Sequence, residues 1–221
     1  MEADRAERLA RFREIDIYPV TCEKLSAGRT NLDILRAVID GGARIVQLRE
    51  KEYSTRTLYQ TAEQFRTETA EAGVLLIVND RIDVALAVGA DGVHLGQDDL
   101  PIAAARRLAP RLLIGASTHS REEALQAEQE GADYINIGPI FPTKTKEGIA
   151  NFLGPEAIGS ISSAITVPFT VMGGITASNL DLVLQQGARR IAMITAITLA
   201  DDMAAMVRTL RERVTDYSGQ D

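Results

Sequence analysis

Short apolar runs alternate along the chain with longer amphipathic stretches. Eight of the runs are rich in Ile, Val and Leu and contain few polar residues. Such near-continuous apolar runs are typical of parallel strands covered on both faces, and not of half-exposed antiparallel strands. The predicted strands lie at residues 15–20, 44–48, 74–78, 92–95, 112–116, 134–137, 168–171 and 191–197.

The amphipathic stretches carry helix start and stop signals. Capping-box spacing occurs at Thr30 with Asp33, at Ser120 with Glu123 and, in a similar form, at Ser178 with Asp181. Glycines that could end helices stand at Gly41, Gly73 and Gly187. In the charged N-terminal stretch, Leu9, Phe12 and Ile15 fall three apart and predict a short amphipathic helix lying on the domain.

A Gly-Ala dipeptide followed by Asp or Arg precedes the second, fourth, sixth and eighth predicted strands, starting at Gly42, Gly89, Gly131 and Gly187. A two-strand repeat that occurs four times favours a closed (β/α)8 TIM barrel over an open sheet. The alternative is that helix-to-strand turns generally favour Gly-Ala. We expect one α/β domain over 1–221, with a helical extension at 1–14, the barrel at 15–215 and a tail at 216–221.

Composition narrows the function classes. Among 221 residues, 24 Lys and Arg stand against 31 Asp and Glu, so the formal net charge is 24 − 31 = −7, which argues against a nucleic-acid or anionic-membrane binder. The apolar run at residues 191–200 is far short of the roughly 20 residues that a membrane span requires. With one cysteine, Cys22, no intrachain disulfide can form. We expect a cytoplasmic protein; its oligomeric state, including a homo-oligomer, stays open.

Polar residues at the ends of the predicted strands carry the candidate chemistry, because barrel active sites lie at the carboxyl ends of strands. After the second strand, alternation sends Gln47, Arg49 and Lys51 to the same side. A guanidinium fork beside a flexible ammonium group suits a phosphate or diphosphate. The alternative is a solvated loop that contains a Glu–Lys pair.

Carboxylates follow the third and fourth strands. Asp80 and Asp99 can approach each other, because neighbouring strands lie about 4.8 Å apart. Two carboxylates together with phosphate oxygens and water form a Mg2+ site rather than a zinc site. The alternative is that both residues cap the helices that follow.

The remaining strands end in groups suited to a substrate ring and a second anion. Ser117 ends the fifth strand and is placed to donate to a substrate nitrogen, whereas Ser117 and His119 do not face each other as a nucleophile pair. We expect His94 to be a hydrogen-bonded barrel residue and not a base. Hydroxyls and lysines at 143–146, with loops at 173–174 and 194–195, suit a second phosphate.

The strings QLREK, ND, GVHLGQDD, GPIFPTKTK and GGIT occur in this order across strands two to seven. Together, and at these intervals, they resemble the thiamine-phosphate synthase family over nearly the whole chain. The resemblance implies a Mg2+-dependent transferase that joins an aminopyrimidine methyl diphosphate to a thiazole phosphate and releases diphosphate.

The resemblance also implies roles for individual residues. The pyrimidine diphosphate is assigned to Gln47, Leu48, Arg49, Glu50, Lys51, Asn79, Ser117 and Lys146, and Mg2+ to Asp80 and Asp99. The thiazole phosphate is assigned to Thr143, Lys144, Thr145, Gly174, Ile194 and Thr195. Thr195 departs from the Ser that the family commonly has. Arg49, Lys51, Lys146 and Ser117 are the expected catalytic residues of a dissociative reaction that needs no protein nucleophile.

Three other functions compete with this interpretation. A thiazole tautomerase would need a base such as His119, but it has no use for the metal–diphosphate residues. A non-catalytic binder of thiamine phosphate would not require them intact. A sugar-phosphate isomerase would need an acidic base opposite a Lys or His, and the candidates are better used by the diphosphate.

Overall fold

The computed structural model describes residues 4–143 and 152–218. Its strands are β1 (Ile17–Pro19), β2 (Ile45–Leu48), β3 (Leu75–Asn79), β4 (Gly92–Leu95), β5 (Leu113–Thr118), β6 (Tyr134–Ile137), β7 (Phe169–Val171) and β8 (Ile191–Met193). Its helices are α1 (Arg5–Arg13), α2 (Asn31–Asp40), α3 (Thr55–Ala72), α4 (Ile82–Ala87), α5 (Ile102–Leu108), α6 (Arg121–Gln129), α7 (Glu156–Ser162), α8 (Leu180–Leu184), α9 (Thr195–Thr198) and α10 (Met203–Ser218).

The strands form one parallel sheet in the order β1-β8-β7-β6-β5-β4-β3-β2. The seam between β1 and β2 is joined by a bridge between Val20 and Gln47, and the Thr21 N–H donates to the Gln47 carbonyl at 2.9 Å. The predicted (β/α)8 barrel is therefore confirmed. The last apolar run is shorter than predicted as a strand, since β8 ends at Met193 and the chain turns into α9.

Burial on both faces explains the near-continuous apolar strands. Ile45 packs in the barrel interior with Leu75 and Leu113, while Val46 and Leu48 pack in the cluster between sheet and helices. Side chains that alternate along one strand therefore pack into two separate cores, one inside the barrel and one between the sheet and the helices. Within residues 4–143 and 152–218, the helices include none with the length and apolar character of a membrane span.

The predicted N-terminal amphipathic helix is confirmed as α1, which packs against the amino end of the barrel. Phe12 is fully buried, and its ring stacks on Tyr134 with centroids 4.2 Å apart. Arg5 forms an ion pair with Asp133 at 2.6 Å. These contacts hold α1 against the strands that carry the interior side chains.

The Gly-Ala repeat has a conformational cause. Each repeat glycine has a positive φ, at Gly42 (83°), Gly89 (63°), Gly131 (101°) and Gly187 (85°). Glycine adopts this left-handed conformation without the steric cost that a Cβ imposes. Each following alanine is buried where helix meets strand, at Ala43, Ala90, Ala132 and Ala188. The repeat therefore marks alternate helix-to-strand turns of the barrel.

The predicted helix caps are confirmed in part. Thr30 and Asp33 form a complete capping box on α2. Ser120 caps α6 as predicted. The Glu123 carboxylate, however, accepts the His119 N–H at 2.7 Å and not the Ser120 N–H that a capping box requires, so this half of the prediction is wrong. The Ser178 cap is also wrong. Asn179 precedes α8, and Ser178 Oγ instead contacts Thr176 Oγ1 at 2.9 Å.

Candidate active site

A pocket opens at the carboxyl end of the barrel, where enzymes of this fold carry their active sites. It brings together most of the predicted site residues, from the strands β2 to β8 and the loops that follow them. These are Gln47, Arg49, Lys51, Asn79, Asp80, Asp99, Ser117, Thr143, Gly174, Ile194 and Thr195.

Two predicted residues point elsewhere. The Leu48 side chain is fully buried in the cluster between sheet and helices, because alternation turns it away from its neighbour Gln47. The Glu50 carboxylate accepts the Glu23 N–H at 2.7 Å and the Asn31 side-chain amide at 2.9 Å, so it braces the loop after β1. Lys144, Thr145 and Lys146 lie outside the described residues.

The loop after β2 supplies the cations. Arg49 and Lys51 line the same side of the pocket as Gln47, as alternation predicts. The Lys51 ammonium lies 3.2 Å from Asp80 Oδ2 and is half exposed. This wall therefore presents a guanidinium, an ammonium and an amide to a ligand with several oxygens.

Asp80 and Asp99 meet across β3 and the loop after β4. Burial and the adjacent Asp99 carboxyl raise the pKa of Asp80, and Lys51 opposes the shift. Two carboxylates in contact repel each other unless a proton or a cation lies between them. Their oxygen-only donor set fits Mg2+, which completes its ligands with water and phosphate oxygens. The pair therefore fits the predicted metal.

The backbone at Asp80 is unusual. Its φ of 61° is left-handed, a conformation that is sparsely populated by residues other than glycine and is found at functional sites. The Asp80 N–H donates to the His94 carbonyl at 2.8 Å, which fixes the turn. Arg81, and not Asp80, precedes α4, so the capping alternative fails for Asp80.

The opposite wall contains the glycines after β7. Gly174 has a φ of 63°, and a Cβ there would lie 2.5 Å from the Pro142 carbonyl oxygen. The loop after β6 is held against it, since the Phe141 N–H donates to the Gly173 carbonyl at 2.9 Å. Thr143 lines the pocket from this loop, and Thr195 lines it from the start of α9. This wall matches the predicted region for a second phosphate.

His94 lies beneath the pocket and is hydrogen-bonded, as expected. Its Nδ1 is 3.1 Å from Tyr134 Oη, and its Nε2 is 2.9 Å from Ser117 Oγ. Burial lowers its pKa to about 4, so the imidazole is neutral at neutral pH. His119 also lines the pocket, with its Nδ1 3.0 Å from the Glu123 carboxylate.

Several inward-facing polar residues of the pocket were not predicted from the sequence. Tyr18, Asn136 and Thr170 line the pocket from the middle of β1, β6 and β7. Asn136 is adjacent to Ser117 in the sheet register, and Thr170 Oγ1 donates to Asn136 Oδ1 at 2.8 Å. The available signal was a polar side chain at an inward position of an otherwise apolar strand.

Comparisons with known proteins relate the chain to one enzyme family. The family model described as thiamine monophosphate synthase matches residues 17–197. A thiamine-phosphate synthase of Chloroflexus aurantiacus is 48% identical over 90% of this chain and 92% of its own length. One of Haloquadratum walsbyi is also 48% identical, over 89% of this chain and 90% of its own length.

A solved structure shows the same architecture. The thiamine phosphate pyrophosphorylase of Pyrococcus furiosus superposes with a TM-score of 0.85 at 39% identity, covering 92% of this chain and 96% of its own. The 3-hexulose-6-phosphate synthase of Salmonella typhimurium, at 14% identity and a TM-score of 0.69, shares the fold alone. The chain belongs to the thiamine monophosphate synthase family.

Proposed function

We propose that the protein catalyses the thiamine-phosphate synthase reaction, a transfer of an aminopyrimidine methyl group from diphosphate to the nitrogen of a thiazole phosphate. The observation that carries this proposal is one pocket in which Arg49 and Lys51 adjoin the carboxylates Asp80 and Asp99. Gly174 and Thr195, from the loops that bind phosphate in many such barrels, line the same pocket. The two regions suit two anionic substrates bound side by side.

In the proposed reaction, the bond between the methylene carbon and the diphosphate oxygen breaks, and the electron pair leaves with diphosphate. Arg49 and Lys51 offset the charge that develops on the leaving group. The thiazole nitrogen then donates its lone pair to the methylene carbon and forms the new C–N bond. The barrel walls exclude water, which would otherwise capture the carbon.

Asp80 and Asp99 are the residues that would hold Mg2+. When bound, the ion would supply positive charge that offsets the charge developing on the leaving diphosphate. The contact between the two carboxylates and the raised pKa of Asp80 support this metal assignment. Gln47, Asn79 and Ser117 would orient the pyrimidine, while Lys146, outside the described residues, stays a predicted diphosphate ligand.

Thr143, Gly174, Ile194 and Thr195 would bind the thiazole phosphate. Backbone N–H groups of the loops after the seventh and eighth strands form the usual phosphate site of such barrels. Lys144 and Thr145 stay predictions for the same group. We also propose a cytoplasmic protein that acts on small phosphorylated molecules, supported by its single cysteine and acidic net charge.

The direct test is to incubate the purified protein with both substrates, with and without Mg2+. The proposal predicts Mg2+-dependent thiamine phosphate and an equal amount of released diphosphate. Conversion of the thiazole phosphate alone would instead support the tautomerase, with His119 as its base. Binding of thiamine phosphate without turnover would support the non-catalytic binder.

A further inference from the structure

We propose that Tyr134 is a positioning residue. Through a one-directional chain of hydrogen bonds inside the barrel, it fixes the Ser117 hydroxyl as a donor into the pocket. The chain runs through Gln47, Tyr18, Tyr134, His94 and Ser117. The identity of the ligand that receives the Ser117 donor, the pyrimidine ring, rests on the proposed function; the direction of the chain does not.

The contacts are continuous from one pocket wall to the other. Gln47 Nε2 donates to Tyr18 Oη at 2.9 Å, and Tyr18 Oη lies 3.1 Å from Tyr134 Oη. Tyr134 Oη lies 3.1 Å from His94 Nδ1, and His94 Nε2 lies 2.9 Å from Ser117 Oγ. Gln47 and Ser117 both line the pocket, so the chain begins and ends at the ligand site.

The chemistry of the first member sets the direction. An amide nitrogen can only donate, so Tyr18 accepts from Gln47 and has its own hydrogen available for Tyr134. Tyr134 then donates to His94 Nδ1. A neutral imidazole that accepts at Nδ1 carries its proton on Nε2 and donates to Ser117 Oγ. The Ser117 hydroxyl hydrogen is left for the pocket.

Burial keeps water from breaking this order. Tyr134 is fully buried, Tyr18 is 1% exposed and His94 is 7% exposed. The Tyr134 ring also stacks with Phe12 at a centroid distance of 4.2 Å and with His94 at 5.6 Å. A single hydroxyl on a closely packed ring therefore decides which imidazole nitrogen carries the proton.

This arrangement has a consequence for specificity. Ser117 presents a donor, so a ligand group that accepts, as an unprotonated ring nitrogen does, fits best opposite it. An analogue that presents an N–H at that position would lose the hydrogen bond from the Ser117 O–H and should bind more weakly, with the second lone pair of Ser117 Oγ as its remaining acceptor.

The direction of the chain can be read by nitrogen NMR of histidine. The protein contains two histidines, His94 and His119, so a His119→Asn variant leaves only the His94 imidazole to assign. In protein without substrate, the proposal predicts that His94 carries its proton on Nε2. A proton on Nδ1 would overturn the proposal whether or not the enzyme makes thiamine phosphate.

Tyr134→Phe, in the otherwise natural sequence, tests the positioning role. Loss of the donor to Nδ1 should remove the Nε2–H preference of His94. It should also raise KM for the pyrimidine diphosphate about 3- to 10-fold, the value of one hydrogen bond, with little change in kcat. Tyr59→Phe is the matched control, because it removes a hydroxyl whose partner is the surface carboxylate of Glu63, 2.6 Å away.

The outcomes are decisive in either direction. An altered His94 tautomer together with a raised KM in Tyr134→Phe, and neither in Tyr59→Phe, supports the proposal. An unchanged tautomer or an unchanged KM in Tyr134→Phe overturns it. If Tyr134→Phe does not fold, the tautomer of the protein with natural Tyr134 still decides the direction of the chain.

Discussion

At the scale of single residues, Asp80 combines three unfavourable features. Its backbone is left-handed, its carboxylate is partly buried, and a second carboxylate, Asp99, adjoins it. Only Lys51 offsets the charge among the contacts described for it. In the proposed enzyme these features prepare the pair for a divalent cation.

Replacement of Asp80 by Asn is expected to lower turnover without lowering thermal stability. The variant removes the repulsion with Asp99, and Asn tolerates a left-handed backbone well, so the melting temperature without metal should stay equal or rise. Turnover should fall about 100-fold or more, because a metal ligand is lost.

Thermal unfolding and initial rates measure the two effects. Asp83→Asn is the control, since Asp83 is exposed and its pair with Arg81 is worth little. Near-natural turnover in Asp80→Asn would refute the metal assignment.

Gly174 is expected to be intolerant of a side chain for two reasons that a control can separate. Gly174→Ala adds left-handed strain of about 1–2 kcal/mol and also drives a Cβ against the Pro142 carbonyl. Gly73→Ala carries the same kind of strain, at a φ of 66°, with nothing within 4 Å.

Urea unfolding should therefore show a larger loss of stability for Gly174→Ala than for Gly73→Ala. Binding of the thiazole phosphate should weaken only in Gly174→Ala. Equal losses of stability would mean that the loop after β6 does not press on Gly174 as described.

At the scale of elements, the start of α2 shows what a cap contributes. Thr30→Ala removes both the acceptor for the Asp33 N–H and a hydroxyl donor to the Asp33 carboxylate. We expect the free energy of unfolding to fall by about 0.5–2 kcal/mol. Ser178→Ala is the matched control and should change it far less, because Ser178 caps no helix. Comparable losses in the two variants would contradict the cap assignments.

Hydrophobic periodicity was sufficient to predict every strand, because two buried faces leave a strong and simple pattern. Cap spacing was less informative. Ser120 and Ser178 have the same spacing to an acidic residue, yet Glu123 binds the His119 N–H and Ser178 binds Thr176. Spacing defines which partners are within reach, and tertiary contacts decide which one is taken. Glu50 likewise takes tertiary partners, the Glu23 N–H and the Asn31 amide, and does not line the pocket.

At the scale of the whole molecule, the N-terminal helix is part of the barrel core. Phe12 fills the amino end of the barrel and stacks on Tyr134. Phe12→Ala should therefore lower the free energy of unfolding by about 3–5 kcal/mol. Phe152→Ala is the control, because Phe152 is 53% exposed. A cost below about 1 kcal/mol for Phe12→Ala in urea unfolding would show that α1 merely rests on the surface.

The site was predictable where it follows from barrel geometry. Gln47, Arg49 and Lys51 could be placed on one side, and Asp80 could be paired with Asp99, because carboxyl ends of parallel strands converge. The interior chain through Tyr18 and Tyr134 was not predicted, since it joins residues 116 positions apart in sequence. Such contacts depend on barrel closure and on interior packing, which local patterns do not encode.

In the proposed enzyme one pocket holds two anion regions, and only one of them depends on metal. Calorimetric titration with inorganic diphosphate and, separately, with the thiazole phosphate, each with Mg2+ and with chelator, distinguishes the two regions. We predict that removal of Mg2+ weakens diphosphate binding at least about tenfold and leaves thiazole phosphate binding unchanged. Equal metal dependence of both ligands, or none for diphosphate, would rule out a metal site confined to the diphosphate region.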